Sequence, residues 1–442
     1  MKIVIVGAGS SYTPELIEGI IINHKTLPIS EIFLVDIEMG KEKLDIIYNL
    51  SKRMVLKSEL KIKISKTLNI DEALQDSAYV LTQLRVGQID ARILDEKIPN
   101  KYNQIGQETN GLGGMFKGLR TIPVIVEIAD KMAELCPDAW LLNFTNPAGM
   151  VTQAVLNYSK HRKVIGLCNG PVNTRNAIAK IMKLPIEELD VIFKGSNHMV
   201  FVTDVIYKNN SILTHVIEKM NKEVDDSLAF TNVNNEIWNP NLLSSLQMIP
   251  SSYLKYYIKT EQLLEEQITS EKCRGEIVKE VEAELFSKYK DLELDVKPKE
   301  LEKRGGALYS TAAINLINSL YNADNSVHTI NVRNNGAVSN LDDDFVLEIN
   351  CRITADGPIP LEVGELANPP LALVRQMKEY EVEMGSVALA GNYEKVIKLG
   401  VFNPLSTNDN NVVKSINELF IAHKQYLPKF SKTIEELENE SN

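Results

Sequence analysis

Over the first 200 residues of the chain, short runs of apolar, largely β-branched residues alternate with longer stretches in which apolar positions recur every three or four residues. The runs Lys2–Val6, Glu31–Ile37, Lys61–Ser65, Tyr79–Thr82, Ala139–Phe144 and Lys163–Cys168 are predicted as strands. Most are apolar on both faces, as strands are when helices cover both sides of a parallel sheet. Helices are predicted between them at Pro14–Asn23, Met39–Lys57, Leu119–Leu135 and Met150–Ser159. The alternation predicts an α/β fold whose first domain, residues 1–196, is a Rossmann-like doubly wound parallel sheet.

From Asn197 onward the pattern changes. A polar stretch at Asn221–Asn241 precedes a charged helical pattern at Cys273–Lys290 and strand-like runs at Thr329–Val332 and Phe345–Ile349. These predict a second, mixed α/β domain over residues 197–442 that completes a cleft. Glu362–Tyr426 reads as largely helical, and the acidic end Glu435–Asn442 as a frayed tail. No internal repeat is present at solenoid or propeller periods.

Charge narrows the partners. The 442 residues carry 48 Lys and Arg against 59 Asp and Glu, a net charge of −11, which disfavours nucleic acid and an anionic membrane surface. No apolar stretch approaches the roughly 18 residues of a membrane-spanning helix, and the opening Met-Lys-Ile-Val-Ile-Val-Gly is too short for a signal peptide. Cys136, Cys168, Cys273 and Cys351 stand far apart, with no Cys-x-x-Cys spacing. A reducing cytoplasm is the expected setting, and a functional cysteine is expected to act as a thiolate.

Strand Lys2–Val6 runs into Gly7-Ala8-Gly9-Ser10-Ser11-Tyr12-Thr13-Pro14. Gly7 permits a tight turn and Gly9 a close approach of backbone to a pyrophosphate, which a helix N-terminus then faces. Thr13 and Pro14 read as the helix N-cap and its first residue. Asp36, closing the second strand, suits the ribose hydroxyls of NAD and disfavours the 2′-phosphate of NADP. Tyr12 replaces the third glycine of the usual fingerprint.

Cys168 and His198 follow predicted strands on the ligand side of such a sheet, where a thiolate and an imidazole can share a divalent metal. The same two residues also read as a buried structural cysteine and a hydrogen-bonded loop histidine. Asn143–Ala148 offers amides for hydroxyl groups, or an ordinary Asn-Pro turn. Arg85 and Arg92, beside Asp95 and Glu96, can bind an anion, although Arg92 and Glu96 also have the spacing of a surface pair. Gly106–Gly114 is expected to form a mobile lid. Ser252–Tyr257 supplies phenols that serve either chemistry or a core.

Taken together, these segments resemble glycoside hydrolase family 4, the NAD-dependent glycosidases that depart from the two-carboxylate mechanism. The resemblance runs through seven ordered segments: GAGSSYTPELIEGI at 7–20, RVGQIDARILDEKIP at 85–99, IGQETNGLGG at 105–114, CPDAWLLNFTNPAGMVT at 136–152, GLCNGP at 166–171, SNHMVF at 196–201 and PSSYLKYY at 250–257. RGGALYS at 304–310 continues it. It implies a lactate/malate dehydrogenase-like fold, NAD and Mn²⁺ as cofactors, and a homodimer or homotetramer. Cys168 and His198 are implied as metal ligands, Tyr253 as catalytic base and Glu108 as the group that makes it more basic. Arg92 and Asn146 are implied to bind substrate, and Ser10 and Arg274 a sugar 6-phosphate.

Members acting on α-glucosides carry Asp after the metal cysteine. This chain has Asn169 there, which resembles the 6-phospho-β-glucosidase subgroup and implies a phosphorylated disaccharide or glucoside as substrate. Lys255, Leu308 and Arg333 depart from the Arg, Tyr and Pro common in related sequences. The implied cycle oxidises the sugar at C3, removes the C2 proton, expels the aglycone, adds water and returns the hydride. Glu108 is expected to help by accepting the phenolic proton or its hydrogen bond. A dehydrogenase that releases NADH shares the nucleotide loop and is the main alternative, followed by family members acting on α-glucosides or galactosides.

Overall fold

In the computed structural model, which describes residues 1–222, 238–304 and 308–441, six parallel strands form the frame of the molecule. They are β1 (Lys2–Val6), β2 (Glu31–Val35), β3 (Lys63–Thr67), β4 (Tyr79–Thr82), β5 (Trp140–Asn143) and β6 (Val164–Gly166). Their order across the sheet is β3-β2-β1-β4-β5-β6. This is the doubly wound Rossmann order, in which winding reverses between β1 and β4 and opens a crevice at the carboxyl ends of the strands. Ile3, Val4 and Ile5 are wholly buried, because a strand apolar on both faces is stable only where helices cover both. One covering helix, Lys41–Lys57, buries Leu44, Ile47, Leu50, Ser51, Met54 and Val55 on a single stripe.

The chain then forms a separate antiparallel sheet from the hairpin β7 (Leu189–Ser196) and β8 (Met199–Tyr207), with β9 (Asn210–Ser211) and β10 (Ile249–Pro250) pairing to β8. His198 sits in the tight turn of this hairpin, at φ +66°. It therefore does not follow a strand of the parallel sheet, as its spacing predicts; packing of the second sheet brings it to the crevice.

Three late strands, β11 (Val327–Arg333), β12 (Val346–Thr354) and β13 (Gly357–Pro360), return to the first sheet and extend it beyond β6 in antiparallel sense, to nine strands. Asn331 pairs with Gly166 at the junction. Arg333 ties β11 to the helix Ala148–Tyr158, donating to Leu156 O and Asn157 Oδ1, each at 3.1 Å.

Two further expectations are corrected. The glycine-rich segment is no lid: a helix begins at Gly111 and runs to Leu135, with Gly113 and Gly114 buried in its first turn. A Cβ on Gly113 would lie 2.3 Å from Gln107 O and 2.4 Å from Asp95 O, so close packing accounts for glycine there. The acidic end is not frayed either, since Ser431–Ser441 is a helix that buries Ile434 and Leu437. Most of the polar 221–241 stretch, and Gly305 to Ala307 of the 304–310 segment, lie outside the described residues. Among the described residues, no helix is long and apolar enough to cross a membrane.

Candidate active site

The carboxyl ends of β1, β2, β4 and β5 lead into a cavity of about 490 Å³ lined by Gly7, Gly9, Ser10, Asp36, Arg85 and Asn146, among others. Gly7 turns with φ +79°, and its N–H and that of Ala8 both donate to Val35 O at 2.9 Å. A side chain here would be strained and would also meet the Leu84 backbone at 2.7 Å. Asp36 accepts from Gly9 N at 2.7 Å and from Ile37 N at 2.8 Å. Burial raises its pKa against these two donors. The helix after the loop is capped at Tyr12, one residue earlier than predicted, because the Thr13 hydroxyl donates back to Ala8 O at 2.8 Å.

A second cavity, of about 60 Å³, is lined by Cys168, His198, Tyr253 and Glu348. Cys168 follows β6, His198 occupies the β7–β8 turn, and Tyr253 lies in the short turn Ser252–Leu254, capped by the Ser251 side chain. Burial and the nearby Glu348 carboxyl push the Cys168 thiol up to about 12. Burial brings His198 down to about 3, so the ring is neutral. Burial raises Tyr253 well above the ordinary phenol range, with Cys168, Tyr256 and Glu108 adding to the rise and Arg92 opposing it. Among the described residues, no cluster of three or more His, Cys, Asp or Glu could hold a metal ion. A metal held by Cys168 and His198 would thus keep open positions, the arrangement that admits substrate oxygens.

Glu108 connects the two cavities through its neighbours: Arg85 and Lys117 line the first, and its charge acts on His198 and Tyr253 of the second. Its carboxylate pairs with Arg85, with Arg92 at 3.0 Å and with Lys117 at 2.7 Å. Burial opposes its charge, yet the three cations hold its pKa well below the usual range. It therefore stays ionised, the form that can accept the phenolic hydrogen bond, while its lowered pKa makes it a weak acceptor of the proton itself. Its negative charge also disfavours the tyrosinate nearby, and a more strongly held proton is what a more basic phenolate means. Arg92 is no surface pair: it is buried, donates to Glu96 at 2.7 Å, and is kept charged by Glu108 and Glu96 against the cost of burial. Asp95 is wholly buried and turned to other partners, Arg120 at 2.7 Å and His423 at 2.9 Å.

Arg274 begins the helix Arg274–Tyr289, where burial and the neighbouring Arg92 and Arg304 lower its pKa. Arg304 stacks 4.9 Å from the Tyr12 ring centre and donates to Tyr12 Oη at 3.4 Å, bringing its charge to the Ser10 loop. Asn169 stands at the N-cap position of the helix Gly170–Met182, directly after Cys168. Sequence reasoning did not single out Arg304, Lys117, Thr109 or Glu348. Arg304 opens the RGGALYS segment and Thr109 lies within IGQETNGLGG, so those two stood inside quoted motifs. Lys117 and Glu348 carried no local signal.

The family model for Family 4 glycosyl hydrolase matches residues 2–184, and that for the Family 4 glycosyl hydrolase C-terminal domain matches residues 193–406. The chain belongs to glycosyl hydrolase family 4. It is 47% identical over 438 residues to a probable 6-phospho-beta-glucosidase of Bacillus subtilis, covering 98% of this chain and 99% of the relative. Identity to the 6-phospho-beta-glucosidase of Escherichia coli is 40% over 442 residues, covering 99% and 98%. The 6-phospho-beta glucosidase of Thermotoga maritima, solved with manganese, NAD⁺ and glucose-6-phosphate, matches with a TM-score of 0.87 at 31% identity, covering 96% of this chain and 99% of that one.

Proposed function

We propose that this chain is a 6-phospho-β-glucosidase, hydrolysing phosphorylated β-glucosides such as cellobiose 6-phosphate to glucose 6-phosphate and an aglycone, with NAD⁺ and Mn²⁺ as resident cofactors. The observation that carries this is the meeting of Cys168, His198 and Tyr253 in one cavity, joined through Glu108 to the cavity of the Gly7–Asp36 loop. Gly7, Gly9, Ser10 and Asp36 would hold the dinucleotide, and Cys168 and His198 the metal. When bound, these groups supply a reversible hydride sink for C3 and a Lewis acid for the sugar oxygens.

Tyr253 removes the proton from C2. Its ring is held flat against His198, and the charge of Arg92 favours its anion. Glu108 serves by holding Arg85, Arg92 and Lys117 together, two of which, Arg85 and Lys117, line the larger cavity. Arg92, Asn146 and Asn169 bind sugar hydroxyls, while Ser10 and Arg274, assisted by Arg304, bind the 6-phosphate. A neutral amide at Asn169, in place of a carboxylic acid, supports the β-linked substrate. The four free cysteines support a reducing cytoplasm as the setting, and a homodimer or homotetramer is the expected assembly.

The test is release of p-nitrophenol from its β-glucoside 6-phosphate with NAD⁺, Mn²⁺ and thiol, then with each omitted and with the unphosphorylated glucoside. Turnover should require all three additions and the phosphate, stop in EDTA, and build up no NADH. Net NADH formation would make the protein a dehydrogenase, and cleavage of only the α-linked or galacto substrate would move it within the family.

A further inference from the structure

A neutral histidine binds a metal through whichever ring nitrogen lacks a proton, so its tautomer decides which side is ready. His198 Nδ1 lies 3.2 Å from Thr109 Oγ1. The direction of that contact is set one step further out. Gln107 Oε1 accepts from the backbone N–H of Thr109 at 2.5 Å and of Asn110 at 2.7 Å, two donors that only the amide oxygen can face. Thr109 Oγ1 also lies 2.8 Å from this oxygen and donates its single proton to it. Only lone pairs of Oγ1 then remain for His198, so Nδ1 carries the ring proton and Nε2 the free lone pair. Gln107, Thr109 and His198 are all buried, which leaves water little access to substitute for any of the three.

We propose that Thr109, oriented by Gln107, is a positioning residue that fixes the tautomer of His198 and so presets Nε2 for the divalent metal. The stacked Tyr253 ring holds the imidazole plane, and Thr109 settles which edge of that plane binds. This inference rests on the metal reading given above. A hydrogen-bond partner of a metal-binding histidine typically contributes about 10–100-fold in metal affinity.

The experiment is Mn²⁺ binding to the full-length protein with NAD⁺ present, read from the electron paramagnetic resonance signal of the free ion. Thr109→Val should weaken Mn²⁺ binding by about 10–100-fold, with melting temperature and NAD⁺ affinity held. Thr109→Ser, which keeps the hydroxyl, should restore binding to within a few-fold. Gln107→Met, which frees the Thr109 proton to face Nδ1, should weaken binding in the same direction and provides the test if the valine variant does not fold. Wild-type affinity in Thr109→Val, or a serine variant as weak as the valine one, overturns the inference. Undiminished affinity in Cys168→Ser overturns the metal reading itself, independently of position 109.

Discussion

The His198 imidazole lies parallel to the Tyr253 phenol, with ring centres 3.7 Å apart and planes 3° from parallel. The two rings come from different parts of the fold, a hairpin turn and a short 3-10 turn. Their contact couples the proposed metal donor to the proposed base, so neither ring swings without disturbing the other.

Tyr253→Phe keeps the stack and removes only the hydroxyl. The expected result is a fall in kcat of about 10²–10⁴-fold, with Mn²⁺ affinity nearly unchanged. Exchange of the substrate C2 proton with deuterated water should fall in parallel. Persistence of that exchange in the variant would remove Tyr253 from the role of base.

Glu108→Gln removes the anion that Arg85, Arg92 and Lys117 share. Arg85 and Lys117 then lose their buried partner while Arg92 keeps Glu96, and a loss of about 3 kcal/mol in unfolding free energy, the low end for breaking a buried pair, is expected, read from urea midpoints. Glu108→Asp should recover part of this. A stability loss below about 1 kcal/mol, the range of an exposed pair, would show that the cluster is solvated.

Lys117 makes stability depend on pH. Burial and Arg85 bring its pKa from 10.5 down to about 7, with Glu108 opposing. Between these two values the unfolded chain binds the proton and the fold does not, so this group's contribution makes stability rise as pH climbs from about 7 toward 10.5. Lys117→Met should remove that part of the slope. Thermal unfolding of both proteins at pH steps across the window checks it, and parallel curves would count against a neutral buried amine.

Arg304→Met tests the proposed phosphate end of the site. A charge-assisted hydrogen bond of about 1.5–3 kcal/mol corresponds to a rise in KM of roughly 10–100-fold for phosphorylated substrate. The unphosphorylated glucoside, a poor substrate from the outset, should show no matching change. Equal losses on both substrates would assign Arg304 to holding Tyr12 alone.

Much of this protein follows from local pattern. The runs that became β1, β2 and β4 are apolar on both faces and could settle only in the middle of a covered sheet. The Gly7–Pro14 loop and the Asp36 strand end are legible as the turn and strand end that line the larger cavity, because turn chemistry and helix starts are encoded within a dozen neighbouring residues. Contacts between distant segments were decided elsewhere. Periodicity placed His198 after a strand of the first sheet, whereas strand pairing put it on a hairpin of a second sheet. Glycine content predicts a lid at Gly106–Gly114, yet the close approach of the Asp95 and Gln107 carbonyls to Gly113 accounts for glycine there in the buried start of a helix. Glu108 gained its three cations, and Thr109 its histidine, only when sheet order and helix packing brought their segments together. Side-chain periodicity reports which face of an element is buried; what that face meets, and so the charge and protonation of each group in the site, depends on the tertiary arrangement.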